Sequence, residues 1–179
     1  MQLLPGRARS RGGRRFAAVE IAIAFALGGS LLAVAVPTCA REIHGSRFVE
    51  PVDGLRRIGA GAVAYAQEHA VGPGFPPSAP MTPSLPPRGR CEPDASGAWD
   101  GPAWRALDFR AAPDGVPHCF AFAFDRATAP SRSAFRAHAH ADLDGDGITS
   151  TFEITGQYVE GDPRGPVIDP GMFVESEVE

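Results

Sequence analysis

The pattern of apolar and polar positions divides the chain into segments with different periods. Residues 16–36 carry a single charge, at Glu20, and Pro37 follows them. A helix rises about 1.5 Å per residue, so this stretch would reach about 30 Å, the thickness of the hydrocarbon core of a bilayer. The pattern therefore predicts a transmembrane helix over residues 16–37.

The next segment repeats apolar residues at helical spacing. They recur at steps of three and four, at Leu55, Ile58, Ala62 and Tyr65. This period predicts that the helix continues over residues 38–70 with one apolar face. Pro51 and several glycines act against a straight rod, so we expect a break near residues 45–54.

The period changes to two in the second half of the chain. Proline and glycine first dominate residues 71–103, which predicts a loop. Apolar residues then alternate in two runs, at Phe120, Phe122 and Phe124 and at Phe135, Ala137, Ala139 and Ala141, and a third run begins at Thr151. Three short strands in succession indicate an antiparallel β-meander within residues 104–160, followed by an acidic tail at 161–179. The predicted fold class is α+β, with a long N-terminal helix packed on the apolar face of the meander.

The distribution of charge restricts the partners. Residues 1–15 carry five Arg and no acid, which is typical of the cytoplasmic flank of a membrane segment. Residues 142–179 carry ten acids and one base, Arg164. Because acidic side chains repel phosphates, we expect no direct contact with nucleic acid.

The N-terminal segment resembles that of type IV prepilins and pseudopilins. The resemblance rests on the basic leader, on Phe16 as first mature residue, on Glu20 four positions later, and on Pro37 at the end of the apolar run. It implies that a prepilin peptidase cuts between Arg15 and Phe16, and that Glu20 pairs with the terminal amine of a neighbouring subunit during filament assembly. The family has Gly before the cut, where this chain has Arg15. Phrases around Phe75, Trp104 and Phe152 also resemble pilin-like proteins of predatory and social soil bacteria.

A cleaved signal peptide is the competing interpretation of the same segment. Basic residues, an apolar run and the small residues Ala33, Val34 and Ala35 also fit one. Both interpretations export the domain. The resemblance places it on the periplasmic side of the inner membrane or in an extracellular filament.

Two of the three cysteines are candidates for a disulfide. Cys91 and Cys119 lie in the exported part, where oxidation is favoured. A bridge between them would close a loop of about 28 residues and contribute about 3–4 kcal/mol. Cys39 lies just past the apolar run, and we expect it to be a free thiol or to pair between subunits.

Acidic residues at alternate positions match the EF-hand calcium-loop pattern D-x-D-x-D-G-x₅-E. The predicted ligands are the side chains of Asp142, Asp144, Asp146 and Glu153 and the backbone carbonyl of Ile148. Calcium takes six to eight oxygens, and such spacing brings several of them to one ion. The alternative is a β-turn in a hairpin, in which Asp-Gly pairs are favoured for backbone reasons alone. The flanks are strand-like and an EF-hand needs helices.

These patterns favour an interaction protein over an enzyme. The sequence has no nucleophile elbow, phosphate loop, zinc-protease motif or dinucleotide fingerprint. The predicted function is a pilin-like subunit of a type IV pilus or a type II secretion-like filament, which assembles with its own or other pilin-like subunits through the N-terminal helix. The alternative is a membrane-anchored or secreted module that does not polymerise, with or without bound calcium.

Overall fold

A computed structural model describes residues 18–69, 74–84, 86 and 88–176, with the side chains of all but 34 and 36–47. The helices are α1 (Ala18–Arg47), α2 (Val49–Glu68) and α3 (Pro102–Ala106). The chain divides into two compact units, residues 1–42 and 43–179. Most of α1 belongs to the first unit, and α2, α3 and the sheet belong to the second.

Helix α1 is the element that the apolar run 16–36 was predicted to form. It begins at Ala18, passes through Pro37 and ends at Arg47, so that its last turns include Arg41 and Glu42. In the described part of the chain, no helix is long and apolar enough to cross a membrane. The prediction of a transmembrane helix over 16–37 is therefore wrong.

The second unit is built on an antiparallel sheet of six strands. They are β1 (Ala79–Thr82), β2 (Ala121–Ala129), β3 (Arg132–Ala141), β4 (Ser150–Val159), β5 (Val167–Ile168) and β6 (Phe173–Glu175). The order across the sheet is β1-β2-β3-β4-β5, and β6 also pairs with β4. Strand β1 lies within the stretch predicted to be a loop, and β5 and β6 lie within the predicted tail.

The pairing register gathers large apolar side chains on one face of the sheet. Phe122 of β2 stands opposite Ala139 of β3, which stands opposite Phe152 of β4. Alternate residues of a strand point to the same face. This face consists mainly of phenylalanine rings and alanine methyls, with one isoleucine, and these members are at most 5% exposed: Phe120, Phe122, Phe124, Phe135, Ala137, Ala139, Phe152 and Ile154.

Helix α2 covers this apolar face. Its buried residues follow the helical period along one side: Pro51, Gly54, Leu55, Ile58, Gly59, Ala62 and Ala66. Gly54 allows the closest approach, because a Cβ built there would lie 2.5 Å from Cε1 of Phe122. Pro51 lies in the first turn, where the missing N–H costs no helix hydrogen bond.

These observations correct the predicted fold class, a long N-terminal transmembrane helix packed on a small antiparallel β-meander. The sheet has six strands rather than three. It is covered by α2, an amphipathic helix that begins at Val49. The sequence pattern missed the outer strands because β5 and β6 have only two and three residues, too few to show an alternation.

Candidate functional site

Of the residues predicted to be processed and to assemble, the structure describes Glu20 and Pro37. Arg15 and Phe16 lie outside the described residues. Glu20 is exposed in the first turn of α1, and Pro37 lies inside the helix. An acidic side chain in the first turn is favourable because it faces the positive end of the helix dipole.

The described apolar side chains of α1 are exposed around the whole helix. Seven large ones are between 47% and 78% exposed: Val19, Ile21, Ile23, Phe25, Leu27, Leu31 and Leu32. Successive residues of a helix are rotated by about 100°, so these positions do not form a single stripe. A helix that is apolar all round is normally buried in protein or lipid. This unit therefore presents a surface whose burial would be strongly favourable.

The acidic loop between β3 and β4 brings three of the predicted calcium ligands together. One carboxylate oxygen from each of Asp142, Asp144 and Asp146 lies within 4.8 Å of the others. Asp142 is 2% exposed, and its oxygens accept hydrogen bonds from the backbone N–H of Gly145 at 2.8 Å and of Gly147 at 3.2 Å. The loop thus holds the Asp142 carboxylate by two backbone donors.

The other two predicted ligands lie differently. Glu153 is in β4, opposite His138 of β3, and its carboxylate lies 3.2 Å from Nε of Arg136. It is not among the acids that converge in the loop. The N–H of Ile148 donates to Oδ1 of Asp146 at 2.7 Å, and its side chain is 51% exposed. An EF-hand loop is followed by a helix, whereas this loop is followed by β4. Glu153 therefore lies in the strand, apart from the three aspartates of the loop.

The cysteines predicted to pair are at disulfide distance in the structure. Cys91 and Cys119 have Cα atoms 4.2 Å apart. The bridge ties the segment after β1 to the residues that enter β2. The neighbouring backbone pairs as well, since Glu92 and His118 exchange two N–H···O bonds of 3.1 Å.

A buried charged cluster beside the disulfide was not predicted from the sequence. His118 is 3% exposed, and its Nε2 lies 2.6 Å from Oδ2 of Asp94. Its Nδ1 lies 2.9 Å from the carbonyl oxygen of Phe120 and 3.7 Å from the carboxylate of Glu50. Both ring nitrogens face acceptors, so these contacts favour the imidazolium, in which both nitrogens carry a proton.

The pKa of His118 reflects two opposing effects, burial and the neighbouring carboxylates. Burial lowers it, but the hydrogen bonds and charges of Glu50 and Asp94 outweigh burial, so the pKa is raised above the ordinary 6.5. The cluster joins three parts of the second unit, because the Glu50 carboxylate also accepts the backbone N–H of Cys119 and of Phe120, both at 2.9 Å. No sequence pattern reveals it, since its members are far apart in the chain.

Comparisons of this chain with protein-family models, with curated proteins and with solved structures found no match.

Proposed function

We propose that this chain is a pilin-like subunit of a type IV pilus or type II secretion-like filament, and that it assembles through α1. The observation that carries the proposal is the all-round apolar surface of that helix, with Phe25 78% and Leu31 72% exposed. Full burial of such a side chain contributes about 1.5–3 kcal/mol. Seven of them, each partly covered already, would contribute on the order of 10 kcal/mol, which would offset much of the cost of lost translational and rotational freedom on association.

The N-terminal residues give the proposal its processing step. A peptidase cut between Arg15 and Phe16 would create a terminal amine on the residue two positions before α1 begins. The carboxylate of Glu20 would then offer an opposite charge to the amine of the next subunit. The partners in this proposal are copies of this chain or other pilin-like subunits, together with the prepilin peptidase.

The experiment compares filament formation by the parent chain and three variants in the native host. We expect Phe25→Asp to abolish filaments seen by electron microscopy, because a charge in the packed helix surface would be buried without a partner. Glu20→Ala should reduce assembly as well. Val116→Asp is the matched control, since Val116 is 46% exposed but lies in the second unit. Normal filaments in Phe25→Asp would refute assembly through α1.

The N-terminal sequence and intact mass of the native protein separate the proposal from its rival. A chain that begins at Phe16 supports the filament subunit. A chain that begins at Val36 or beyond has lost the apolar part of α1, and would identify a secreted module that does not polymerise.

Calcium binding by the acidic loop stays a prediction from the sequence pattern. The convergence of Asp142, Asp144 and Asp146 supports it, since carboxylate oxygens are the ligands that calcium prefers. The position of Glu153 argues against the complete EF-hand ligand set. Any ion would therefore have to take its remaining oxygens from backbone or water.

A further inference from the structure

A pocket of about 440 Å³ lies on the sheet face opposite α2, near the turn that joins β2 to β3. We call its two alanines, Ala127 and Ala134, the floor, and its polar lining residues the rim: Asp125, Arg126, Arg132, Arg136, Thr155, Gln157 and Asp169. Phe135 and Gly156 complete the lining. Ala134 precedes the buried Phe135 in β3, so it points to the face that α2 does not cover. The volume lies within the range of small-ligand sites.

The strand register creates this depression. Ala127 of β2 stands opposite Ala134 of β3, which stands opposite Gln157 of β4. Along β3 the next residues on the same face are Arg132 and Arg136. Two methyl groups are therefore surrounded by long side chains, which gives a small apolar floor with a polar rim.

A chain of hydrogen bonds fixes one side of the rim. Nη2 of Arg132 donates to Oε1 of Gln157 at 2.9 Å, and Nε2 of Gln157 donates to Oδ1 of Asp169 at 3.1 Å. The hydroxyl of Thr155 donates to Oδ2 of Asp169 at 2.8 Å. These groups are held in place before any ligand arrives, so a ligand would not bear the full entropic cost of ordering them.

The rim combines groups of both charges. A guanidinium only donates and an ionised carboxylate only accepts. An anion would be repelled by Asp125 and Asp169, and a cation by Arg132 and Arg136. The third arginine of the lining, Arg126, donates from Nη1 to the carbonyl oxygen of Phe75 at 3.0 Å. A ligand that suits the rim is neutral and carries groups that both donate and accept, as hydroxyls do. Its C–H face would rest on the alanine methyls.

We propose that this pocket binds a neutral saccharide, with the ring over Ala127 and Ala134 and the hydroxyls on the rim. The proposal is independent of filament assembly, since the pocket lies wholly in the second unit. Its ligand class follows from the mixed charge of the rim and the size of the floor.

Saturation-transfer NMR on the full chain tests it, with methyl glucoside, methyl galactoside and methyl mannoside as probes. The detergent that covers α1 must have no sugar head group, because such a head group would compete for the pocket. We expect at least one glycoside to bind and Ala134→Leu to weaken it at least tenfold, since the larger side chain fills the floor. Gln157→Ala, which interrupts the hydrogen-bond chain, should weaken it as well.

The matched control is Ala64→Leu, the same change at an exposed residue of α2, which packs on the other face of the sheet. It should leave glycoside binding unchanged. Unaltered melting temperatures of all variants establish that they fold. The proposal fails if no glycoside binds, if Ala134→Leu binds as well as Ala64→Leu, or if inorganic phosphate displaces the glycoside and so identifies an anion site.

Discussion

Replacement of His118 by leucine removes the positive centre of the buried cluster while it keeps a side chain of similar size. The Asp94 carboxylate would retain the indole N–H of Trp99 as a donor, and Glu50 would retain two backbone N–H groups. Both carboxylates would lose the imidazolium. The perturbation therefore leaves two charges in the protein without their counter-ion.

The size of the effect follows from burial. Removal of one partner from a buried ion pair costs about 3–5 kcal/mol. The side chains of Asp94 and Glu50 are 13% and 27% exposed, so water can solvate them in part and the lower end of that range applies. We expect His118→Leu to lower the free energy of unfolding by about 3 kcal/mol. In a domain of this size that corresponds to a melting temperature lower by about 10 °C.

The pH dependence of stability gives a second readout. Because the pKa of His118 is raised in the folded state, its contribution is fully present below the ordinary pKa of 6.5. It is lost as the pH rises through the folded-state pKa. One proton gives a slope of at most about 1.4 kcal/mol per pH unit. Urea unfolding of parent and variant between pH 5 and 9 measures this slope.

The parent should lose stability above pH 6.5 and His118→Leu should lack that slope. His69→Gln is the control, since His69 is exposed at the end of α2. Two results would refute the reasoning: a variant as stable as the parent at pH 6, or an identical slope in both proteins.

Three further predictions concern the disulfide, the acidic loop and the contact between α2 and the sheet. Replacement of Cys91 and Cys119 by alanine should lower the free energy of unfolding by about 3–4 kcal/mol, measured by urea titration against the reduced and oxidised parent. Millimolar calcium should raise the melting temperature of the parent but not that of Asp144→Asn, with magnesium as the control ion. No rise in the melting temperature of the parent would exclude the calcium site. Gly54→Ala should lower the free energy of unfolding, measured by thermal unfolding, by about 1–3 kcal/mol, because the new methyl group meets the Phe122 ring. Gly29→Ala is the control: a Cβ built at Gly29 has no atom within 4 Å, so this change should not destabilise the protein.

Local periods predicted the central strands from the sequence. The alternation around Phe122 and Phe135 marks β2 and β3, because each strand has one face against the core. The helical stripe from Leu55 to Ala62 marks the buried face of α2 for the same reason. The apolar pattern of residues 16–36 led to the wrong prediction of a transmembrane helix. A run of apolar residues in the sequence does not by itself show what buries their side chains.

The candidate sites were predictable only where neighbours in space are neighbours in sequence. Asp142, Asp144 and Asp146 lie in one loop, so their spacing places them together. His118, Glu50 and Asp94 meet only after α2 has packed beside the start of β2. The pocket proposed to bind a saccharide depends on the pairing of Ala127 with Ala134, and strand register is not visible in the sequence alone.

The bridge between Cys91 and Cys119 also bears on the order in which the sheet forms. Strand β1 ends at Thr82 and its partner β2 begins at Ala121, so in the reduced chain their pairing must close a long loop. In the oxidised chain only residues 83–90 and residue 120 separate the strands from the bridge. Loop-closure entropy grows with the logarithm of loop length, so oxidation lowers the cost of this pairing by about 1 kcal/mol. We therefore expect β1 to pair with β2 several-fold faster in the oxidised chain. Oxidation would then control how quickly β1 covers the edge of the sheet at β2.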